Sequence, residues 1–188
     1  MNSQALKGMM TGTTIMFLFG AIWLFLGLYG GRSSPEWLRM EILATGLVLA
    51  VWIGITASRA RRVSHKLSPP TSEQSAAGRR IKRRFGWITI IEGSAIFLAV
   101  VVFNAAHRPD FISSAIALVV GLHFFPLASL FDRRVYYGTG ILGCVIGAVG
   151  FLISDPRIRN SFVGLSFGLL LWLTVAAVLA QVLPRSRT

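Results

Sequence analysis

Six long apolar runs, separated by short polar or basic segments, determine what this chain can fold into. They lie at about 12–30, 40–58, 87–106, 111–131, 135–153 and 161–183. Each has or approaches the roughly 20 apolar residues that a helix needs to cross a bilayer, and none alternates as a membrane β-strand does. The sequence therefore predicts an all-α fold, a polytopic bundle of six transmembrane helices in which residues 1–188 form one domain.

Basic residues are concentrated in alternate connections between these runs. Of the 19 Lys and Arg residues, 14 lie in the N-terminus, the 59–86 segment, the 132–134 turn and the C-terminus, and five lie on the other side. Positively charged connections stay on the cytoplasmic side, which predicts cytoplasmic termini in the inner membrane of a bacterium. This placement explains the net charge of +12, and no nucleic-acid partner is predicted.

The 59–86 segment is predicted to be a basic cytoplasmic loop with a polar, turn-rich centre, SPPTSEQSAAG. Its last part, RRIKRRFGW, extends the third helix outward in this interpretation and places Trp87 at the headgroup level. Basic residues near an anionic leaflet gain about 1 kcal/mol each. The expected partners are therefore the lipid bilayer and, at this loop, its anionic headgroups. Simple anchoring of the topology explains the same charges and is the favoured interpretation.

Taken in order, the six runs form three tandem helical hairpins with a faint internal repeat. The segments 47–58 and 118–129 align without a gap, which places Trp52 and His123 at one equivalent position, and a separate match in the sixth run places Trp172 there too. This architecture resembles the HdeD-like acid-resistance membrane proteins of bacteria. The segment GLHFFPLASLF, followed by YYGTG, is similar to uncharacterised small six-helix bacterial membrane proteins. Neither resemblance implies an established activity.

Two ionisable residues lie well inside apolar runs, Glu92 in the third and His123 in the fourth. At 1.5 Å per residue, Glu92 lies about 7 Å from Trp87, and His123 lies about 12 Å from Phe131 at the same face. Adjacent antiparallel helices would hold the two at similar depth, as a pair suited to handling a proton. Such residues are functional candidates because their burial is costly. The alternative is a polar contact that only holds two helices together.

Small residues form one face on each of the last two helices. The fifth helix carries Gly143, Gly147 and Gly150, and the sixth carries Gly164 and Gly168 as a GxxxG motif. Glycines at this spacing let helix backbones approach closely. The fifth and sixth helices are therefore predicted to pack against each other, with a homo-oligomer formed through the sixth helix as the alternative.

No pattern in the sequence indicates a catalytic, cofactor or metal site. Residues 164–168 read GLSFG and match the GxSxG nucleophile pattern, but that motif needs a strand–turn–helix elbow and here lies in a predicted membrane helix. Neither a phosphate-binding loop nor an HExxH motif is present. The one cysteine, Cys144, excludes an internal disulfide. We therefore predict no catalytic residue, cofactor or metal ligand.

These observations favour a non-enzymatic membrane component, acting in stress tolerance or assembly. A small transporter or permeation unit is the second hypothesis, proton-linked through Glu92 and His123, with a polar cavity beside the carbonyl that Pro126 frees. Transporters usually contain broken helices and several polar groups within the membrane. This chain has few of either, which places transport second and an intramembrane enzyme third.

Overall fold

A computed structural model of the protein describes residues 3–30, 36–64 and 72–182, which form six α-helices and one short 3-10 helix. The helices are α1 Ser3–Gly30, α2 Glu36–Ser64, α3 Ser72–Ala105, α4 Ile112–Phe131, α5 Arg134–Leu152 and α6 Pro156–Val182, and the 3-10 helix is Pro109–Phe111. No strand occurs among the described residues. The predicted all-α fold is confirmed.

Five of the six helices are long and apolar enough to cross a membrane, and they indicate a multi-pass membrane protein. Their apolar spans are Met10–Tyr29, Ala76–Ala105, Pro109–Phe131, Arg134–Leu152 and Pro156–Gln181. The remaining helix, α2, contains the shorter apolar stretch Met40–Thr56. This stretch lies at the lower end of the ~17–25 residues that cross hydrocarbon. The prediction of six spans is thus supported for five of them.

Helix α6 is the centre of the bundle. It packs most extensively against α1 and also contacts α5, α4 and α2. Helices α4 and α5 form the second closely packed pair, and α3 packs on α4. Both of the closest pairs therefore join helices from different predicted hairpins, so the hairpins are not the main packing units.

The side chain of Trp172 ties α6 to both α1 and α2. Its ring stacks on Phe17 of α1 with the centroids 5.5 Å apart, and its indole N–H donates to the Phe17 carbonyl at 3.1 Å. Glycines make room for the ring: a Cβ on Gly20 would lie 2.5 Å from it, and a Cβ on Gly46 of α2 would lie 2.6 Å from it. A buried tryptophan with its N–H satisfied contributes a large apolar area to this junction.

The predicted small-residue faces are closely packed, but against other helices than the sequence indicated. Gly164 and Gly168 of α6 face α1, where a Cβ on Gly164 would lie 2.5 Å from the Cα of Gly27. Gly147 of α5 faces α4, where its Cβ would lie 2.7 Å from the backbone nitrogen of Leu118. The GxxxG motif therefore packs against α1 within the chain, and the homo-oligomer through the sixth helix stays a prediction.

The other two glycines of α5 touch α4 and α6 together. A Cβ on Gly143 would lie 3.0 Å from both Gly121 of α4 and Phe167 of α6, and one on Gly150 would lie 2.6 Å from Val163 of α6. The predicted α5–α6 contact is thus real but secondary to the α4–α5 contact. The spacing of glycines indicates that a face permits close approach, but it does not identify the helix that covers it.

The predicted 59–86 loop is largely helical. Helix α2 continues to Ser64 and α3 begins at Ser72, and residues 65–71 lie outside the described part. The expected outward extension of the third helix is confirmed and starts earlier than predicted. In the sequence, two prolines directly precede Thr71-Ser72-Glu73-Gln74, and the T-x-x-Q pattern is typical of the start of a helix.

Substitution of the buried glycines tests the close helix contacts. We expect Gly147→Leu and Gly164→Leu each to lower the free energy of unfolding by about 1–3 kcal/mol or more, because a larger side chain overpacks the contact. Gly54→Leu is the control, since a Cβ there meets nothing within 4 Å. Unfolding in detergent micelles measures all three variants, and equal stabilities would contradict the packing described above.

Candidate functional site

The structure brings Glu92 of α3 and His123 of α4 together. Oε2 of Glu92 lies 3.2 Å from Nδ1 of His123, and the two side chains are 18% and 10% exposed. The distance is that of an ion pair, but the groups are not aligned for a hydrogen bond, so Nδ1 has no hydrogen-bond partner among the described residues. A small rotation of either side chain would let the acid and the base share a proton.

Glu92 faces the bundle because of its position on α3. The half-buried residues of α3 recur at three- and four-residue intervals, at Ile88, Glu92, Ala95, Ala99 and Phe103. This spacing places them on one face of a helix, which is the face that packs on α4. Glu92 therefore lies in the middle of an otherwise apolar contact stripe.

A row of aromatic rings connects His123 with the end of α3 that carries the basic segment. The ring centroids are 6.1 Å apart for Phe85 and Phe131, 6.4 Å for Phe131 and Tyr136, and 5.8 Å for Tyr136 and Phe124. Phe124 in turn meets the His123 ring edge-on at 6.2 Å. Such offset and edge-on contacts stabilise packed rings. The row holds α3, α4 and α5 together between the Glu92–His123 pair and the end of α3 that carries the basic segment.

The proline of α4 lies at the exposed surface of its helix. Helix α4 continues through Pro126, and both Pro126 and Leu122 are exposed. Loss of the amide hydrogen at Pro126 frees the carbonyl of Leu122, which thus lies on the outer surface of the bundle. The exposure of both residues gives no support to the predicted polar cavity beside this carbonyl, which stays a prediction.

Other polar residues within the apolar helices have their own partners. The hydroxyls of Thr139 and Thr174 lie 2.7 Å apart between α5 and α6, and the Cys144 thiol points to the Leu118 carbonyl at 3.9 Å. The GxSxG segment, 164–168, lies inside the continuous helix α6 and lacks the elbow that exposes a nucleophile. Within the described ranges, no three His, Cys, Asp or Glu side chains are grouped so that they could hold a metal ion.

A second polar cluster, which sequence reasoning missed, is centred on Arg159 of α6. Its side chain is buried, with the residue only 1% exposed. Nε donates to the carbonyls of Gly150 at 3.1 Å and Ile153 at 3.0 Å, and Nη2 donates to Ile153 at 2.6 Å. Nη1 donates to the Asp110 carboxylate. The guanidinium thus caps the last carbonyls of α5 and pairs its charge with a carboxylate.

The ring of Phe111 completes this cluster. It lies 3.8 Å from Cζ of Arg159 and 4.3 Å from Cζ of Arg108, which are cation–π distances. Arg108 also approaches Asp110, with Nε 3.5 Å from Oδ1. The Phe111 ring stacks on Phe151 of α5 at 5.5 Å. The cluster therefore joins the 3-10 helix, α5 and α6 at the end of the bundle opposite the basic segment of α3.

Arg159 is buried because α6 begins earlier than the sequence analysis predicted. The helix starts at Pro156 instead of near residue 161. Oδ1 of Asp155 accepts hydrogen bonds from the backbone N–H groups of Arg157 at 2.7 Å and Ile158 at 3.2 Å. Aspartate at the N-cap and proline at the first helical position are standard start signals. The Asp-Pro pair indicated this start, but nothing in the sequence distinguished a buried Arg159 from an exposed Arg157.

One family matches the chain in comparisons with known proteins. Residues 84–181, just over half of the chain, match the family of unknown function DUF7010. The chain belongs to this family. The segment matched by DUF7010 extends from the membrane part of α3 through α6, so it includes both the Glu92–His123 pair and the Arg159 cluster. No curated protein and no solved structure matches the chain. The resemblance to uncharacterised proteins is thus supported, whereas the likeness to HdeD-like proteins rests on architecture alone.

Removal of the Arg159 side chain tests its role as a buried cap. Arg159→Met leaves Asp110 and the carbonyls at the end of α5 without their partner. Breaking a buried ion pair on one side costs about 3–5 kcal/mol, so we expect a large fall in melting temperature in detergent. Arg157→Met, two residues away and exposed, should change the stability by less than about 0.5 kcal/mol. Equal losses in the two variants would refute the assignment.

Proposed function

We propose that this DUF7010 protein is a non-enzymatic component of the bacterial inner membrane, in which Glu92 and His123 form an acid–base contact that fastens α3 to the bundle. The observation that carries this proposal is the 3.2 Å approach of the two groups within an otherwise apolar stripe of α3. An ionisable pair is costly to bury at such a place, which makes it a candidate for a functional role. Its use in this proposal is to position the outer helix.

The continuity of the helices supports a structural component over a carrier. Transporters of known architecture bind substrate at interrupted helices near the middle of the membrane. Here α3, α5 and α6 each run unbroken through their apolar spans, and α4 does so from the end of the 3-10 helix onward. The polar residues Thr139, Thr174 and Arg159 are also held by partners within the protein.

Proton-linked permeation is the second candidate, and the same pair favours it. An acid and a base in contact can pass a proton between them. At 1.5 Å per residue, Glu92 lies about 10 Å along α3 from Phe85, and His123 lies about 12 Å along α4 from Phe131. Because Phe85 and Phe131 contact each other, both members of the pair lie at a similar depth from one face of the membrane.

A double-mutant cycle tests the Glu92–His123 contact. Glu92→Gln and His123→Asn each leave one partner unmatched at a buried position, so their effects on the free energy of unfolding should couple by more than about 0.5 kcal/mol. Ser94→Ala serves as the matched control, because Ser94 lies on the same helix and is exposed. It should show no coupling with His123→Asn. Additive effects of Glu92→Gln and His123→Asn would remove the basis of the proposal.

The same proteins, reconstituted in liposomes, distinguish the two candidates. If the protein conducts protons, an imposed pH gradient should collapse faster with the wild-type chain than in protein-free vesicles, and either single substitution should slow it at least tenfold. Flux equal to that of protein-free vesicles, together with coupling in the cycle, supports the structural role and refutes permeation.

We further propose that both termini face the cytoplasm. Five exposed cationic side chains lie near the start of α3: Arg79, Arg80, Lys82, Arg83 and Arg84. At the opposite end of the bundle Arg159 is buried within the protein instead of lying free in a connection. The five cations lie on the side where the sequence concentrates its Lys and Arg, and this charge asymmetry orients helices during insertion.

Cysteine labelling at the two ends of α3 tests this orientation. In a Cys144→Ser background, Ala106→Cys should react with a membrane-impermeant maleimide in intact cells, and Ala77→Cys should react only after permeabilisation. Both positions are exposed alanines, so local accessibility is matched. Labelling of Ala77→Cys in intact cells, with Ala106→Cys protected, would reverse the topology.

A further inference from the structure

Helix α3 is longer than the membrane it crosses. Its 34 residues extend over about 51 Å at 1.5 Å per residue, whereas the hydrocarbon core is about 30 Å thick. The excess lies at its beginning, where the exposed cations Arg79, Arg80, Lys82, Arg83 and Arg84 follow one another within two turns. We call residues 79–84 the basic collar.

The depth of the collar is fixed by aromatic residues at its inner end. Trp87 is exposed, as expected for a ring at the membrane interface, and Phe85 packs on Phe131, the last residue of α4. From Arg84 to Arg79 the helix rises about 7.5 Å. The headgroup layer is roughly 5–7 Å thick on each side of the hydrocarbon. The collar therefore spans the layer that holds the lipid phosphates.

No acidic residue stands three or four positions from a collar cation, the spacing at which ion pairs form along a helix. No Asp or Glu occurs between Gln74 and Glu92. At about 100° per residue the five cations cover roughly 200° of the helix circumference, and Ile81 and Phe85 share the remaining side. A helix holds these cations at a fixed depth, whereas a flexible loop would spread them through the solvent.

We propose that the basic collar binds anionic phospholipids through their phosphate groups and retains them around α3. The partner is chosen by charge complementarity and depth: several guanidinium groups face outward in the layer of lipid phosphates, and guanidinium pairs well with phosphate oxygens. The proposal does not depend on the Glu92–His123 pair, which lies in the apolar part of the helix.

Lipid binding to the purified protein tests the collar. The full chain in detergent micelles is titrated with phosphatidylglycerol or phosphatidylcholine, and bound lipids are counted by native mass spectrometry. We expect phosphatidylglycerol to bind at least tenfold more tightly. Each collar charge is worth roughly fivefold in affinity, so Arg83→Gln should weaken phosphatidylglycerol binding about fivefold, and Arg80→Gln with Arg83→Gln about 25-fold. Phosphatidylcholine binding should not change.

Arg157→Gln is the matched control, since Arg157 is exposed at the opposite end of the bundle and its loss removes the same charge. It should leave lipid binding unaltered. Micelles have no sidedness, so no variant fails through reversed insertion, and circular dichroism verifies that α3 remains helical. Equal affinity for the two lipids, or an unchanged preference in the double variant, overturns the proposal. Displacement of phosphatidylglycerol by millimolar inorganic phosphate would identify a site for free phosphate and overturn it as well.

Discussion

The need to satisfy polar groups away from water governs this bundle, and Arg159 is its clearest case. A buried guanidinium is tolerated only when its donors are paired and its charge is balanced. Arg159 meets both conditions, because the last carbonyls of α5 accept from it and Asp110 carries the opposite charge. The α5–α6 turn and the 3-10 helix are thereby fixed to each other. This connection anchors the start of α6, the helix that contacts α1, α2, α4 and α5.

Close backbone approach then assembles the helices around α6. Membrane helices gain little from apolar burial alone, so they depend on tight contact. Gly164 faces Gly27 of α1, and Gly143 faces Gly121 of α4, so two glycine-on-glycine contacts lie in two different seams. Trp172 makes a different kind of contact, in which a large ring, and not a second glycine, packs against Gly20 and Gly46.

The sequence predicted the elements better than their partners, for a physical reason. Apolar length and basic flanks depend on single segments, so the class of fold and the outward extension of α3 followed from them. Which helix covers a glycine face depends on the arrangement of all the helices. The sequence therefore predicted the main contact between α5 and α6, whereas their glycine faces lie mainly against α4 and α1. The depth argument for Glu92 and His123 used only rise per residue, and the two side chains do meet. Arg159 could not be found in this way, because its burial depends on the α5–α6 turn.

Helix α3 differs from the rest of the bundle in how it is held. None of the residues in its most apolar window is fully buried, and its main contacts lie along one stripe on α4 and the 3-10 helix. Aromatic contacts hold the two ends of this stripe, through Phe85 and through Phe103, which lies 6.0 Å from the Phe111 ring. Between them lies Glu92 against His123. Because a charged and a neutral pair interact with different strength, the protonation state of this contact acts on a helix that packs mainly against a single neighbouring helix, α4. An acid–base pair at this place can therefore influence the position of α3 without any change in the α1–α6 and α4–α5 seams.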